Sequence, residues 1–233
     1  LELAGVPVIG CGTLSSALCM DKARAHKLAA LAGVKVPRGV VFRRGAETED
    51  LRQAAAALGY PLFVKPVRAG SSFGVAKVRR PSDLFAAVDH AFFYDDHVML
   101  EAQIPGFEVG CAVLGSDAPL TGVPDEIELQ GDLFDFQEKY HLTTSKIHIP
   151  ARITPEQTAA VQETARRVYQ ILGCSGFARV DLFLTPEGRI VFHEVNTIPG
   201  FTPHSRFPSM MQAAGLSFRE VLSRILDAAL EEA

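Results

Sequence analysis

The chain has no basic excess: 23 Lys and Arg stand against 27 Asp and Glu, a formal charge of −4, so no electrostatic footprint for nucleic acid is present. Long apolar runs are missing too. The longest, such as Ala54 to Leu58, fall far short of the roughly 20 residues a membrane span needs. No charged stretch leads into an apolar one with a cleavage site, so a cytoplasmic location is expected. The four cysteines, Cys11, Cys19, Cys111 and Cys174, show no CxxC or His-rich spacing and read as buried thiols rather than zinc ligands or disulfides. Internal repeats and low-complexity tracts are absent, and so is an initiator methionine. Residues 1–10 read as the tail of a helix running into a short strand, and the chain is expected to begin inside a larger protein.

What is there is a globular α+β pattern, 48% hydrophobic and 21% charged. Helical spacing runs from Asp21 to Ala32 and ends at Gly33, and Val40 to Phe42 reads as a strand. An Ala-rich helix over Glu47 to Leu58, strands over Tyr60 to Lys65 and Gly74 to Val78, and a helix over Pro81 to Phe93 complete a first unit ending near residue 98. A second unit opens with strands at His97 to Gln103 and Phe107 to Leu114 and passes through a polar stretch, Gly131 to Lys146. Thr154-Pro155-Glu156-Gln157 is a capping box with proline at the first helical position, starting a helix to about Leu172. A strand pair around Thr185-Pro186-Glu187-Gly188 follows, then a Gly/Pro-bearing loop from Asn196 to Pro208 and an amphipathic helix from Ser217 to Leu230.

Strand alternation puts Arg179, Asp181 and Phe183 on one face, and Ile190, Phe192, Glu194 and Asn196 on one face of the next strand. Paired as a hairpin, Asp181, Glu194 and Asn196 converge, with Arg179 beside them. Two carboxylates and an amide oxygen form a donor set that suits Mg²⁺. The competing reading is an ordinary solvated face, and Phe183, Ile190 and Phe192 on that same face weigh against it, because charges in apolar surroundings are costly unless paired or metal-bound. Lys65 to Val75, KPVRAGSSFGV, joins two strands through a small-residue loop whose backbone N–H groups and hydroxyls can approach phosphate. It is not a Walker A loop, and by itself it reads equally as a hairpin. Glu101 to Glu108, EAQIPGFE, suits a connector that reads an adenine edge, with Glu108 towards ribose, although alone it is an ordinary loop.

The ordered series CMDK, KPVRAGSSFGV, LEAQIPGFEVG, EKY, ARVDLF and EVNTIPGFTPHSR resembles the D-alanine:D-alanine ligase family of the ATP-grasp superfamily over essentially the whole chain, without the family's N-terminal domain. The resemblance implies an α+β ATP-grasp fold, in which two α+β subdomains of antiparallel sheets and flanking helices clamp ATP. Residues 1–10 would be a remnant of the N-terminal substrate domain, 11–98 the central subdomain, and 99–233 the C-terminal subdomain with a lid at 131–146. By matching position, Lys22, Lys65 and Lys139 would meet the phosphates, with Ser72 in the phosphate loop. Glu101, Ala102 and Ile104 would meet adenine, Glu108 the ribose, and Phe183 would lie against the nucleotide. Asp181, Glu194 and Asn196 would hold two Mg²⁺ ions, or Mn²⁺ in their place.

The implied reaction passes the γ-phosphoryl group to the carboxylate of D-alanine, and the amine of a second substrate then attacks the acyl phosphate. Arg179 and the Gly200 N–H would steady the oxyanion, Ser205 and Arg206 would sit by the second substrate, and Ser71 and Tyr140 would pair with a glutamate from the N-terminal domain. His141 reads as an exposed lid residue. The EKY triplet argues for an amine acceptor rather than D-lactate. Phe73 and Arg206 resemble the vancomycin-resistance D-alanine:D-serine ligases, with the housekeeping D-alanine:D-alanine enzyme as the alternative and a homodimeric parent implied. Neither nucleic acid nor membrane is an expected partner. A fragment that binds ATP without ligase activity and another carboxylate:amine ligase are the rival readings. The isolated chain is expected to be a weak ligase or none, because D-alanine would lack the domain that positions it.

Overall fold

The computed structural model describes residues 1–129 and 145–231. Its strands form two antiparallel sheets. The first has four strands in the order β1 (Gly39–Arg43), β4 (His97–Ala102), β2 (Leu62–Pro66) and β3 (Ala76–Val78). Leu62 and Val64 on β2 and Val98 and Leu100 on β4 point to one face. There they meet Leu51 and Ala55 of α3 (Thr48–Leu58) and Leu84, Val88, Ala91 and Phe92 of α4 (Leu84–Phe92). Alternation then obliges Phe63, Lys65 and Glu101 to face the other way.

The second sheet runs β10 (Ile190–Asn196), β9 (Phe177–Leu184), β5 (Phe107–Leu114), β7 (Asp125–Leu129), β8 (Ser145–His148), with β6 (Leu120–Thr121) paired to β5. One face presents Val109, Cys111, Val113, Val180, Leu182 and Leu184 to a core completed by Val161, Ala165, Val168 and Tyr169 of α5 (Pro155–Ile171). At one end of the other face, Ala112 and Leu114 meet Phe207, Met210 and Met211 of α6 (Arg206–Ala213) and Val221 and Ile225 of α7 (Phe218–Glu231). The remainder of that face carries the polar residues. The capping box of α5 forms as expected, with the Thr154 side chain accepting from the Gln157 N–H and the Gln157 side chain from the Thr154 N–H. All four cysteines are buried thiols outside any disulfide. No helix among the described residues is long and apolar enough to cross a membrane.

Four sequence expectations need correction. β4 pairs with β1 and β2 along its whole length, so the first sheet extends to Ala102, and the boundary at residue 98 falls inside a strand. The apolar residues between 11 and 36 do not join the core of that sheet either. Cys11, Cys19, Ala25, Ala29 and Val34, on and around α1 (Thr13–Met20) and α2 (Lys22–Leu31), belong to the core of the second sheet. The 196–208 loop ends earlier than read, because α6 begins at Arg206. Pro208 sits in its first turn, where its missing N–H would have had no helical partner anyway.

The fourth correction concerns the hairpin. Register runs Phe192 with Leu182 and then Glu194 with Asp181, so His193 is an extra residue, a β-bulge. Phe192 therefore joins Leu182 in the core, while Glu194 and Asn196 stay opposite Asp181 and Arg179. Ile190 also packs against the core. Neither residue shares the face of Glu194.

Candidate active site

Between the polar faces of the two sheets lies a cavity of about 460 Å³, a size typical of small-molecule sites. The first sheet supplies Phe63, Lys65, Lys77 and Glu101; the second supplies Glu108, Ile127, Phe183, His193 and Glu194. Lys22, at the start of α2, and the loop residues Ala69 to Ser72 close one end, and the connector from Ala102 to Phe107 closes another. Gly106 in that connector has φ +116°, and a side chain there would collide with the backbone of Leu184, so the connector lies directly on the end of β9.

Lys65 and Glu101 face the cavity as diagonal neighbours on β2 and β4, joined Nζ to Oε1 at 2.5 Å and both almost fully buried. Burial works to raise the Glu101 carboxyl, but the charge and hydrogen bond of Lys65 together with the nearby His193 and His26 outweigh it and hold the group below its ordinary value. Among the described residues its second oxygen, Oε2, has no hydrogen-bond partner, and neither do the buried Gln103 Oε1 and His193 Nδ1. All three residues border the cavity, so a bound molecule that carries donors has acceptors to meet there. Burial also lowers His193, to about 4, so its ring is neutral at pH 7.

Lys22 donates to the carbonyl of Ala69 at 2.7 Å and stands 3.8 Å from Glu194. In the same loop Ser71 and Ser72 have φ of 51° and 59°. Non-glycine residues held in this left-handed region cost of order 1–3 kcal/mol each and concentrate at ligand clamps.

Beside the cavity, a charged row crosses the second sheet. Gly110 on β5 is flanked by Asp125 on β7 and Asp181 on β9. Having no side chain, Gly110 leaves a gap filled by the Arg206 guanidinium, which a Cβ there would strike along with both aspartates. Arg206 donates Nε to Asp125 Oδ2 at 2.6 Å and Nη2 to Oδ1 at 2.8 Å, and lies 3.6 Å from Asp181 and 3.7 Å from Glu108. Arg179 grips Asp181 through two hydrogen bonds of 2.7 and 2.8 Å, and the Asn196 amide donates to Asp181 at 2.7 Å. Burial pushes the Asp181 carboxyl up, Arg179 and Arg206 pull it down, and the arginines prevail.

The structure thus brings Lys22, Lys65, Ser71, Ser72, Glu101, Ala102, Ile104, Glu108, Phe183 and Glu194 around the cavity. Arg179, Asp181, Asn196 and Arg206 gather in the adjoining row, and Ser205 lies against Gly200. Lys139, Tyr140, His141 and the stretch from 131 to 144 lie outside the described residues. Residues 145 and 146, the end of the expected lid, belong to β8. Sequence reasoning missed Asp125, Gln103, Lys77, His26 and His193. For Asp125 a signal existed: Asp125-Glu126-Ile127-Glu128-Leu129 ends in the polar–apolar alternation of a strand.

The family profile described as "D-ala D-ala ligase C-terminus" matches residues 28–227. The vancomycin/teicoplanin A-type resistance protein VanA of Enterococcus faecium is 44% identical over 99% of this chain and 67% of its own length. A putative D-alanine–D-lactate ligase of Streptomyces coelicolor is 48% identical over 99% of the chain and 66% of its own length. For D-alanine–D-alanine ligase A of Chromobacterium violaceum the values are 44%, 100% and 64%. Among solved structures, the VanG D-Ala:D-Ser ligase from Enterococcus faecalis superposes with a TM-score of 0.92 at 57% identity, covering 98% of this chain and 66% of that one. The chain therefore spans about two thirds of these relatives' length. With two antiparallel α+β layers enclosing a lysine- and carboxylate-lined cavity, and with that profile covering most of its length, the chain belongs to the D-alanine:D-alanine ligase family and has its ATP-grasp fold.

Proposed function

We propose that this chain is the ATP-holding part of a Mg²⁺-dependent ligase that joins D-alanine to D-serine through D-alanyl phosphate. The observation that carries the reading is the cavity into which the two sheets and α2 direct Lys22, Lys65, Glu101, Glu108 and Glu194, bordered by the Asp181 row. Lys22 and Lys65 supply positive charge for phosphates, and the Ser71–Ser72 turn supplies hydroxyls and backbone donors. The acceptors left over at Glu101 and Gln103 suit the exocyclic amine of adenine, with Ala102 and Ile104 along its edge and Phe183 against the nucleotide. Glu108 is placed for ribose hydroxyls.

Asp181, Glu194 and Asn196 fit a hard cation. Asp181 is held ionised, carboxylate oxygens accept more than one partner, and the Asn196 amide, having given its nitrogen to Asp181, keeps its oxygen. Bound Mg²⁺ would offset charge on the transferring phosphoryl group. Arg179, fixed by its two bonds to Asp181, would supply positive charge for the oxyanion that forms when the amine attacks the acyl carbon and that collapses as phosphate departs. The Gly200 N–H would assist it.

D-serine as acceptor is supported by Arg206, held by Asp125 beside Ser205, because a polar pocket that binds a hydroxyl discriminates against an analogue lacking one. The 57% identity to the VanG D-Ala:D-Ser ligase points the same way. The test is phosphate release from ATP by the full-length gene product with D-alanine alone and then with D-serine added. A kcat/KM higher for D-alanine than for D-serine as acceptor would overturn the D-serine assignment in favour of a D-alanine:D-alanine ligase. Nucleotide turnover independent of any D-amino acid would overturn the ligase reading itself.

A further inference from the structure

We propose that His26 is a positioning residue: from α2 it holds the His193–Glu194 bulge in place and so sets where the Glu194 carboxylate stands relative to the Lys65–Glu101 pair. The inference rests on the reading of the cavity as a Mg-ATP site.

β10 is an edge strand, and the outward backbone groups of an edge need partners. Two of them at the bulge find theirs in and after α2. The Phe192 N–H donates to the carbonyl of Lys35 at 2.8 Å, and the His193 carbonyl lies 2.7 Å from His26 Nε2. A carbonyl can only accept, so Nε2 carries the proton. The other ring nitrogen, Nδ1, is 3.8 Å from Glu101 Oε2, the buried oxygen without a hydrogen-bond partner among the described residues, while the two rings of His26 and Phe192 meet edge to face at 5.5 Å. One imidazole thus bonds to the backbone of the second sheet and faces a carboxylate of the first.

Lys22, four residues earlier on the same helix face, makes a parallel bridge, from the Ala69 carbonyl to Glu194. On the same buried face of α2, Ala25 and Ala29 sink into the core, which makes the helix a firm mount. The bulge is also the reason Glu194 reaches the cavity: counted by strict alternation from the buried Phe192, residue 194 would point into the core. Whatever fixes the bulge fixes the carboxylate.

The test compares His26→Leu, which has no donor, with His26→Gln, whose amide nitrogen can take the place of Nε2. Calorimetry of ATP binding to this chain across a Mg²⁺ series should show the Leu variant needing about tenfold more Mg²⁺, the usual scale for losing a residue that orients a metal ligand. Gln should recover most of the loss. Hydrogen exchange on the nucleotide-free chain should show protection lost at 192–195 in His26→Leu, kept in His26→Gln, and unchanged in β2 and β9 in both. A Leu variant equal to the native chain in both measurements, or a Gln variant as impaired as Leu, would overturn the proposal. If the Leu variant does not fold, His26→Asn, whose amide is too short to reach the carbonyl, replaces it with the same expectations. If the native chain binds no ATP at any Mg²⁺ concentration, the Mg-ATP reading falls, while the exchange measurement still decides whether His26 holds the bulge.

Discussion

In the four-stranded sheet one buried pair, Lys65 with Glu101, faces the cavity with a carboxylate oxygen to spare, whereas in the six-stranded sheet Asp125 and Asp181 have all four oxygens hydrogen-bonded to Arg206, Arg179, Asn196 and the Gly110 N–H. Among the described residues the first arrangement is left incomplete, and the second is complete. Unsatisfied buried polar atoms cost free energy, so the open cluster marks where binding can return some of that cost. The closed cluster holds its side chains in place before any substrate arrives, which is what oxyanion and metal chemistry require.

The closed cluster is most vulnerable at Asp125. Asp125→Ala leaves the Arg206 charge buried without its main partner and should cost about 3–5 kcal/mol in urea unfolding. A loss near zero would mean that the closed cluster does not hold itself together. Next in size is the response to acid. His193 titrates at about 4 in the folded chain, below its ordinary 6.5, and burial lowers His26 as well. The unfolded chain therefore takes up protons first as pH falls. Stability is full above about pH 6.5 and declines towards pH 4, by roughly 3 kcal/mol from His193 alone. Urea midpoints of the metal-free chain that stay level from pH 7 to 4.5 would contradict this.

Glu194→Gln acts on the cavity and leaves the closed cluster intact. Mg²⁺-dependent ATP binding should weaken at least about tenfold by calorimetry, while the melting temperature stays within a degree or two of native. Unchanged Mg-ATP affinity would remove Glu194 from the metal set. The smallest effect belongs to a site remote from both clusters: Thr154→Ala should cost about 1 kcal/mol through loss of the α5 cap and leave nucleotide binding untouched.

Most cavity residues were legible because motif order carries them, and KPVRAGSSFGV, EAQIPGFE and the Asp181, Glu194, Asn196 spacing all lead to one place. The α5 cap and the buried thiols were legible from local chemistry. The bulge at His193 was not, since one inserted residue leaves composition and spacing unchanged while reversing which face Phe192 takes. Which sheet β4 joins, and which core receives α1 and α2, are decided by long-range pairing that periodicity does not encode. Asp125 and Arg206 lie 81 residues apart, and their pairing shows only once β7 and α6 meet across Gly110.

The placement of α1 and α2 has a consequence for how the chain could be cut. Because residues before Val36 pack with the larger core and residues from Phe107 return to it, the four-stranded sheet with its two helices is an insertion in another fold. Its entry and exit strands, β1 and β4, run side by side, with Gly39 opposite Glu101 and the Ala102 N–H bonded to the carbonyl of Arg38 at 2.9 Å. The two ends of the insert are therefore already adjacent, the arrangement under which domain insertion and excision are tolerated. A short glycine–serine bridge from Arg38 to Gln103 would close the larger core over the gap. The same adjacency lets the small sheet be grafted, exchanged or circularly permuted as a unit.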